Sequence, residues 1–417
     1  MLIAMLSNAT TSYNVVSISL VLKIMGSPNV YGDVGDTVES TCSSALLAGM
    51  TFGQLLFGSL GDVIGIDRAM ALTISTQVVG CIGSAAAFQT SASVSSVFYF
   101  LAAFRFVLGI GCGGVYPLAA NMASKTQKKK DRGQSVALVF SMQGIGYIFA
   151  PILALLFIRL FGEDSPVVWR LLLGFGAIPG LWLLYLRAIQ AKKMTKDLGG
   201  GGGGGGGGGI VASRKYGILA NIRKEPKLGR KLLGTAICWM LFDVLFYGNV
   251  LFKPIVLEAA FGDSETITDT AIDDLILNAI GLPGYFVSVY FMGSLGPKFI
   301  QMLGFVIMGI LYLSIGTTWN SLTNYKTLLL VLYGGTFFFA NFGPNATTFL
   351  LPSMTFTHTC RSTLNGVSAA SGKLGAFLGA ILFEPVSHAS GNDSVMLICS
   401  GIAMVGWLFT VVGVEAN

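Results

Sequence analysis

Long, nearly uncharged apolar runs recur along this chain, and no other feature limits its fold so strongly. Windows of roughly 20 residues, the length a helix needs to cross a bilayer, pick out twelve candidate spans. They are 2–24, 43–63, 69–89, 97–122, 134–160 and 168–188, then 232–254, 272–293, 299–318, 326–351, 362–384 and 394–414. Composition agrees. Only 11% of the 417 residues are charged, against roughly 25% in an average soluble domain. So little charge cannot cover a soluble fold of this size, and 53% hydrophobic residues exclude disorder. The 55 glycines show no three-residue period, which excludes a collagen-like chain. The predicted fold class is an all-α membrane protein with twelve transmembrane helices.

The character changes between the sixth and seventh spans. Residues 191–230 are polar and basic and contain the glycine run Gly199 to Gly209. Such a run is expected to be a flexible coil averaging roughly 17–20 Å end to end. Natural low complexity and an inserted replacement for a longer loop explain it equally. It lacks the Gly-Lys-Ser/Thr ending of a phosphate loop. The predicted organisation is therefore an amino-terminal six-helix half over 1–190, a cytoplasmic linker over 191–230, and a carboxy-terminal six-helix half over 231–417.

Loop charges set an orientation. Lys125, Lys128, Lys129, Lys130 and Arg132 follow the fourth span, and Lys192, Lys193, Lys196, Arg214, Lys215, Arg223, Lys224, Lys227 and Arg230 lie in the linker. Asp33, Asp36 and Glu39 follow the first span, and Glu258, Asp263, Glu265 and Asp269 follow the seventh. The positive-inside rule then places both termini and the linker in the cytoplasm. Asn392-Asp393-Ser394 becomes an outward-facing sequon. The first span opens without a basic flank, so no cleavable signal is expected. The net charge of +6 is confined to loops, which argues against a nucleic-acid partner. Six scattered cysteines, His358 and His388 show no metal-ligand spacing. No metal or cofactor is expected.

The two halves resemble each other. Gly58-Ser59-Leu60-Gly61-Asp62 matches Gly293-Ser294-Leu295-Gly296-Pro297. Asn14 and Asp243, Tyr116 and Asn345, and Arg132 and Arg361 are all separated by 229 positions. Two parallel six-span repeats are the plan of the major facilitator fold, which places its substrate near the bilayer midplane between pseudo-symmetric halves.

A charge near the bilayer centre costs about 2.5–3.5 kcal/mol on insertion scales, so such residues call for a function. Asp243 lies mid-span, with Trp239 and Tyr247 four residues to either side on the same helix face. Lys373 lies well inside the eleventh span, and pairing with Asp243 is the simplest way to keep both. A purely structural bridge between the halves is the competing reading. Tyr116, Gln143, Asn341 and Asn345 add donors beside glycines that permit close helix approach. One cation, one carboxylate and many donors suit a small tetrahedral oxyanion. Phosphate carries a P–OH that can donate to a carboxylate; sulfate does not, and a site needing that bond rejects it. Arg105 is a further intramembrane charge, with anion attraction and outward snorkelling both open. Lys23 sits at a span end, where snorkelling is expected.

Four segments carry a family resemblance: Gly113-Gly114-Val115-Tyr116-Pro117-Leu118, Trp239 through Tyr247, Asn341-Phe342-Gly343-Pro344-Asn345-Ala346-Thr347-Thr348-Phe349, and Arg361-Ser362-Thr363 leading to Ser368-Ala369-Ala370-Ser371-Gly372-Lys373-Leu374-Gly375. Through these the chain resembles the phosphate:proton symporters of fungi and plants, within the major facilitator superfamily. The resemblance implies that Tyr116, Gln143, Trp239, Asp243, Tyr247 and one of Asn341 and Asn345 coordinate phosphate, with Lys373 as their charged partner. It also implies a plasma-membrane location. The departures are specific. The family's acidic residues around a first-span tyrosine are Thr11 and Asn14 here, beside Tyr13, and Val115 replaces a fourth-span aspartate. Those carboxylates are implicated in proton passage, so either Asp243, the one deep carboxylate left, carries the coupling proton alone, or coupling is lost. Gly65 is followed by Ile66 and Asp67 where the family has Arg-Lys. Asp62 with the displaced Arg68, together with Arg132 and Arg361, is the expected cytoplasmic gate.

The expected function is secondary transport of inorganic phosphate by alternating access, with a proton as co-substrate and membrane lipid as surroundings. Rivals are an organic-phosphate or other anion facilitator, and a phosphate sensor without net transport; short tails count against the sensor. No nucleophile–base pair or metal cluster suggests an enzyme.

Overall fold

A computed structural model describes residues 1–32, 34–89, 93–126, 131–198, 218–261 and 266–415. The glycine run, Asp33, Lys128, Lys129, Lys130, Arg214, Lys215, Asp263 and Glu265 lie outside the described residues. The helices before the glycine run are α1 Leu2–Met25, α2 Asp36–Val63, α3 Ile66–Ala85, α4 Ser95–Thr126, α5 Arg132–Phe161, α6 Pro166–Phe175 and α7 Ala177–Leu198. After it come α8 Ile218–Arg223, α9 Leu228–Leu232, α10 Cys238–Phe261, α11 Ile267–Leu322, α12 Lys326–Ala340, α13 Ala346–Thr355, α14 Arg361–Ser390 and α15 Asn392–Gly413. Two π-helical turns, Leu233–Ile237 and Asn341–Asn345, join α9 to α10 and α12 to α13.

Every predicted span falls on helix over most of its length. α6 and α7 together make the sixth, separated only at Gly176. α11 holds the eighth and ninth, which part at Gly296, whose φ of 74° and ψ of 157° are non-helical. Among the described residues nine helices are long and apolar enough to cross a bilayer; α11 is one of them, while α1 and α3 are not. α1 is rich in polar residues, and Ser7, Asn8, Thr10, Thr11, Ser12, Asn14 and Ser17 are all buried against neighbouring helices.

Helix ends depart from the sequence reading. α2 starts at Asp36, not 43, because Ser40, Thr41 and Ser44 bond back to carbonyls of their own helix and so tolerate helical backbone outside the apolar window. α3 ends at Ala85, not 89. α7 runs to Leu198 and α8 begins at Ile218, so helix enters both ends of the segment read as linker.

Glycines set the closest helix contacts. Gly49 and Gly53 of α2 face Gly109 and Gly113 of α4 so tightly that an added Cβ would lie 2.1–2.2 Å from a facing carbonyl oxygen. Two G-x-x-x-G stripes thus interlock, the small-residue packing that membrane helices use in place of a hydrophobic drive.

The helices before the glycine run meet those after it chiefly along α2 with α14 and α5 with α11. At one end the α2–α14 seam is shut. A Cβ on Gly366 would fall 2.3 Å from the Gln54 carbonyl, and one on Gly58 would fall 2.8 Å from that of Ser362. Toward the other end lies a cavity of about 530 Å³, lined by residues such as Ser19 of α1, Ser40 and Ser44 of α2, Lys253 of α10 and Asp274 of α11.

Candidate functional site

α10 and α14 place the charges. On α10, Trp239, Asp243 and Tyr247 share a face, as their four-residue spacing dictates. Lys373 of α14 reaches them because Gly372 has no side chain; a Cβ there would meet the Trp239 indole at 2.5 Å and the Asp243 carboxylate at 3.0 Å. Lys373 Nζ donates to Asp243 Oδ2 at 2.9 Å and to the Tyr247 hydroxyl at 2.9 Å. The ammonium also lies 4.1 Å from the Tyr247 ring centroid and 5.7 Å from that of Tyr116. Both partners of the ion pair are almost fully buried. A buried pair of this kind is tolerable only with good geometry and further hydrogen bonds. Tyr247 supplies one, and the Trp239 indole is within reach of the carboxylate.

A chain of neutral groups surrounds the pair. The Tyr116 hydroxyl donates to Gln143 Oε1 at 3.4 Å, and the Gln143 amide donates to the Tyr147 hydroxyl. The π-turn brings Asn341 and Asn345 together: Asn345 Nδ2 donates to Asn341 Oδ1 at 2.8 Å and to the Tyr285 hydroxyl at 3.0 Å. Pro344 causes the turn, since it lacks an N–H and its ring collides with the preceding turn of helix. The adjacent Gly343 is non-helical, with φ −101° and ψ −109°.

All eight predicted binding residues lie in this one region, drawn from α4, α5, α10, the π-turn and α14. They are not all equally placed. The wall of the 530 Å³ cavity includes Tyr247 and Asn341, while Asp243, Lys373, Trp239, Tyr116, Gln143 and Asn345 lie outside its lining. The charges sit behind the Tyr247 hydroxyl, not open to the cavity.

Sequence reading missed two cavity tyrosines, Tyr147 and Tyr285. Tyr147 stands four residues after Gln143 on the same helix face, a signal that was available. Tyr285 gave only its mid-span position after Pro283 and Gly284. It also missed the Lys253–Asp274 ion pair between α10 and α11 on the cavity wall.

The gate residues are arranged differently from the expected latch. Asp62 does not pair with Arg68, which is exposed. Its carboxylate accepts the backbone N–H of Ser362 at 3.2 Å, that of Thr363 at 2.8 Å, and the Thr363 hydroxyl at 2.8 Å. α14 has no side-chain cap of its own, so a carboxylate from α2 caps it, with the added favour of the helix dipole. Asn121 of α4 braces the same place through Ser362 Oγ at 2.9 Å. Arg361 donates from Nε to the Phe356 carbonyl at 3.0 Å and feels Arg132 as a like charge.

Outside the spans, Glu225 between α8 and α9 is buried, paired with Lys231, and accepts from Thr357 and Cys360. Burial pushes its carboxyl up, but those hydrogen bonds outweigh burial and hold it below the usual glutamate range.

Residues 1–380 match the family model for the Major Facilitator Superfamily. The chain belongs to that superfamily. Within it, the facilitator is 34% identical over 98% of its length to the inorganic phosphate transporter PT2 of Toxoplasma gondii, covering 71% of that protein. It is 33% identical over 98% of its length to the putative inorganic phosphate transporter 1-13 of Oryza sativa, covering 87% of that protein. A third relative, the probable inorganic phosphate transporter 1-6 of Arabidopsis thaliana, is 33% identical with 98% and 89% covered. These identities place the facilitator in the family of inorganic phosphate transporters. Among solved structures, the proton:xylose symporter XylE superposes with a TM-score of 0.73 at 18% identity, covering 98% of this chain and 94% of that one. That likeness establishes the fold alone. The protein is an all-α, multi-pass integral membrane protein.

Proposed function

We propose that this facilitator carries inorganic phosphate across its membrane by alternating access, with a proton moving alongside. The observation that carries the reading is the Asp243–Lys373 pair, sealed behind Tyr247 at the cavity, in a chain one-third identical to proteins named inorganic phosphate transporters.

The proton follows from charge balance. Empty, the pair is neutral overall. A phosphate monoanion entering from the cavity draws Lys373 toward itself and leaves Asp243 as a bare carboxylate away from water. An uncompensated buried ion costs several kcal/mol, so anion binding and protonation of Asp243 favour each other. Protonated Asp243 and a phosphate P–OH can then each donate one hydrogen bond to the other. Sulfate lacks that donor, and a site built around it discriminates strongly. Tyr116, Gln143, Trp239, Tyr247, Asn341 and Asn345 complete the donor set.

The positive-inside rule puts the Asp62 end in the cytoplasm with both termini, and the cavity toward the outside of a plasma membrane. Two six-helix bodies, 1–190 and 231–417, joined by 191–230, rock about the site. Opening toward the cytoplasm strips α14 of its Asp62 cap, while Arg132 and Arg361 separate.

Uptake of labelled phosphate into proteoliposomes, with and without an external acid pH gradient, tests the reading. Stimulation by the gradient, unaffected by excess sulfate, is expected. Uptake indifferent to the gradient would remove the proton, and stronger competition by an organic phosphate would change the substrate.

A further inference from the structure

We propose a second anion site in this protein, for a small monovalent anion of the halide class, buried beside Arg105 among α1, α3 and α4. It is separate from the phosphate site and does not depend on that reading.

Arg105 does not snorkel. It is fully buried, about 15 Å along α4 by helical rise, and does not line the large cavity. Its Nη1 donates to the Asn14 carbonyl at 2.9 Å. Its Nε and Nη2 have no acceptor, and neither has the Asn14 Nδ2. Three donor atoms on two touching residues are therefore unmet. The thiols of Cys112, Cys81 and Cys42 are electrostatic neighbours of Arg105, and among the described residues no carboxylate forms an ion pair with it. Those neighbours are already engaged. Cys81 Sγ donates to Asn14 Oδ1 at 3.4 Å, Cys42 Sγ donates to the Phe98 carbonyl at 3.0 Å, and Gln77 Nε2 donates to Thr11 Oγ1 at 2.7 Å and to Cys112 Sγ at 3.4 Å.

A guanidinium does not lose its proton in a protein. A water could accept from the unmet donors but would leave the positive charge uncompensated, and lone buried charge is the costlier defect. An anion answers both. A one-atom acceptor suits a packed helix interior, where a tetrahedral oxyanion would need a cavity. The repeat gives the same answer from another direction. Asn14 stands where the other helix set has Asp243; there a carboxylate neutralises the cation, and here Arg105 meets only the main-chain carbonyl of Asn14, which leaves that task to a bound ion.

The experiment is thermal unfolding of the purified full chain in sodium chloride against sodium gluconate at equal ionic strength. A saturable rise of several degrees in chloride, reproduced by bromide, is expected. Asn14→Asp supplies an internal counter-charge and should abolish the chloride effect while unfolding in gluconate as late as the parent does in chloride. Lys373→Met should keep the chloride effect, which separates this site from the phosphate site. An anomalous bromide peak beside Arg105 in crystals of the native chain is the direct readout if a variant fails to fold. No chloride effect in the parent, an effect retained in Asn14→Asp, an effect lost in Lys373→Met, or bromide absent from Arg105 would each overturn the proposal.

Discussion

Asn14 in α1 and Asp243 in α10 occupy matching places, 229 residues apart, and each touches a buried cation. Around Asp243 the cation is answered on every side: Lys373 has a carboxylate at 2.9 Å, a phenol at 2.9 Å and an aromatic face. Around Asn14 it is not: Arg105 has one carbonyl and two unmet nitrogens. The first arrangement neighbours the cavity through Tyr247; the second is shut inside its helix set. A neutral pair can exchange its partner for an arriving anion without gaining net charge, provided a proton comes too. A lone cation has no charged partner to exchange. The difference teaches that duplicated frameworks can diverge, with an amide in one half where the other has a carboxylate, into a neutral pair beside a cavity and an unanswered cation inside a helix set.

Removing one partner of the α10–α14 pair should have the largest effect. Lys373→Ala strands Asp243, a change worth about 3–5 kcal/mol, so phosphate uptake should fall at least about a hundredfold. The double variant Lys373→Ala/Asp243→Asn should recover thermal stability but not uptake, because it removes both charges. A double variant no more stable than the single would mean that the two residues are not coupled.

Asp62→Asn comes next. It weakens charge-assisted bonds to Ser362 and Thr363, each worth about 1.5–3 kcal/mol. Hydrogen exchange at those two amides should speed up by about tenfold or more, with little change at the α2–α4 glycine seam. Unchanged exchange would show that the cap does not hold the seam closed.

Tyr247→Phe keeps the ring over Lys373 and removes only the hydroxyl. A loss of about 1 kcal/mol predicts roughly a fivefold rise in the phosphate concentration for half-maximal uptake. An unaltered half-saturation would take this hydroxyl out of the site.

The smallest effect lies outside both polar clusters. The Glu225 carboxyl is held below its ordinary value of 4.5. Its contribution is therefore complete above that pH and drains away as pH falls through the lower folded value. Glu225→Gln should lower the unfolding temperature at neutral pH and flatten the loss below pH 4.5. Parallel acid profiles for parent and variant would show that the carboxylate is not the group that matters there.

Much of the fold was legible because burial in lipid leaves a coarse, one-dimensional trace. Apolar windows located the spans, and they erred at ends such as Asp36–Ser44, where hydroxyls extend a helix by bonding to it. The Asp243–Lys373 pairing was legible for a related reason: two opposite charges deep in a membrane chain have few alternatives. Tyr285 was not legible, since a tyrosine in an apolar span carries no mark of whether it faces lipid or a partner. Nor was the Asp62 cap, because its acceptor role is toward backbone N–H groups, which every residue but proline has.

By itself, then, the sequence determined that this chain is a bundle of membrane helices in a repeated pattern, with the intramembrane charges of Asp243, Lys373 and Arg105 to reconcile. Those outcomes follow from composition and spacing, which are properties of the chain alone. Only the tertiary structure decided that Tyr247 stands between the pair and the cavity, that Asp62 caps α14, and that Arg105 turns inward to the main-chain carbonyl of Asn14. Each depends on which atoms of distant helices come within about 3 Å, the range over which hydrogen bonds form, and no periodicity in the sequence reports that distance.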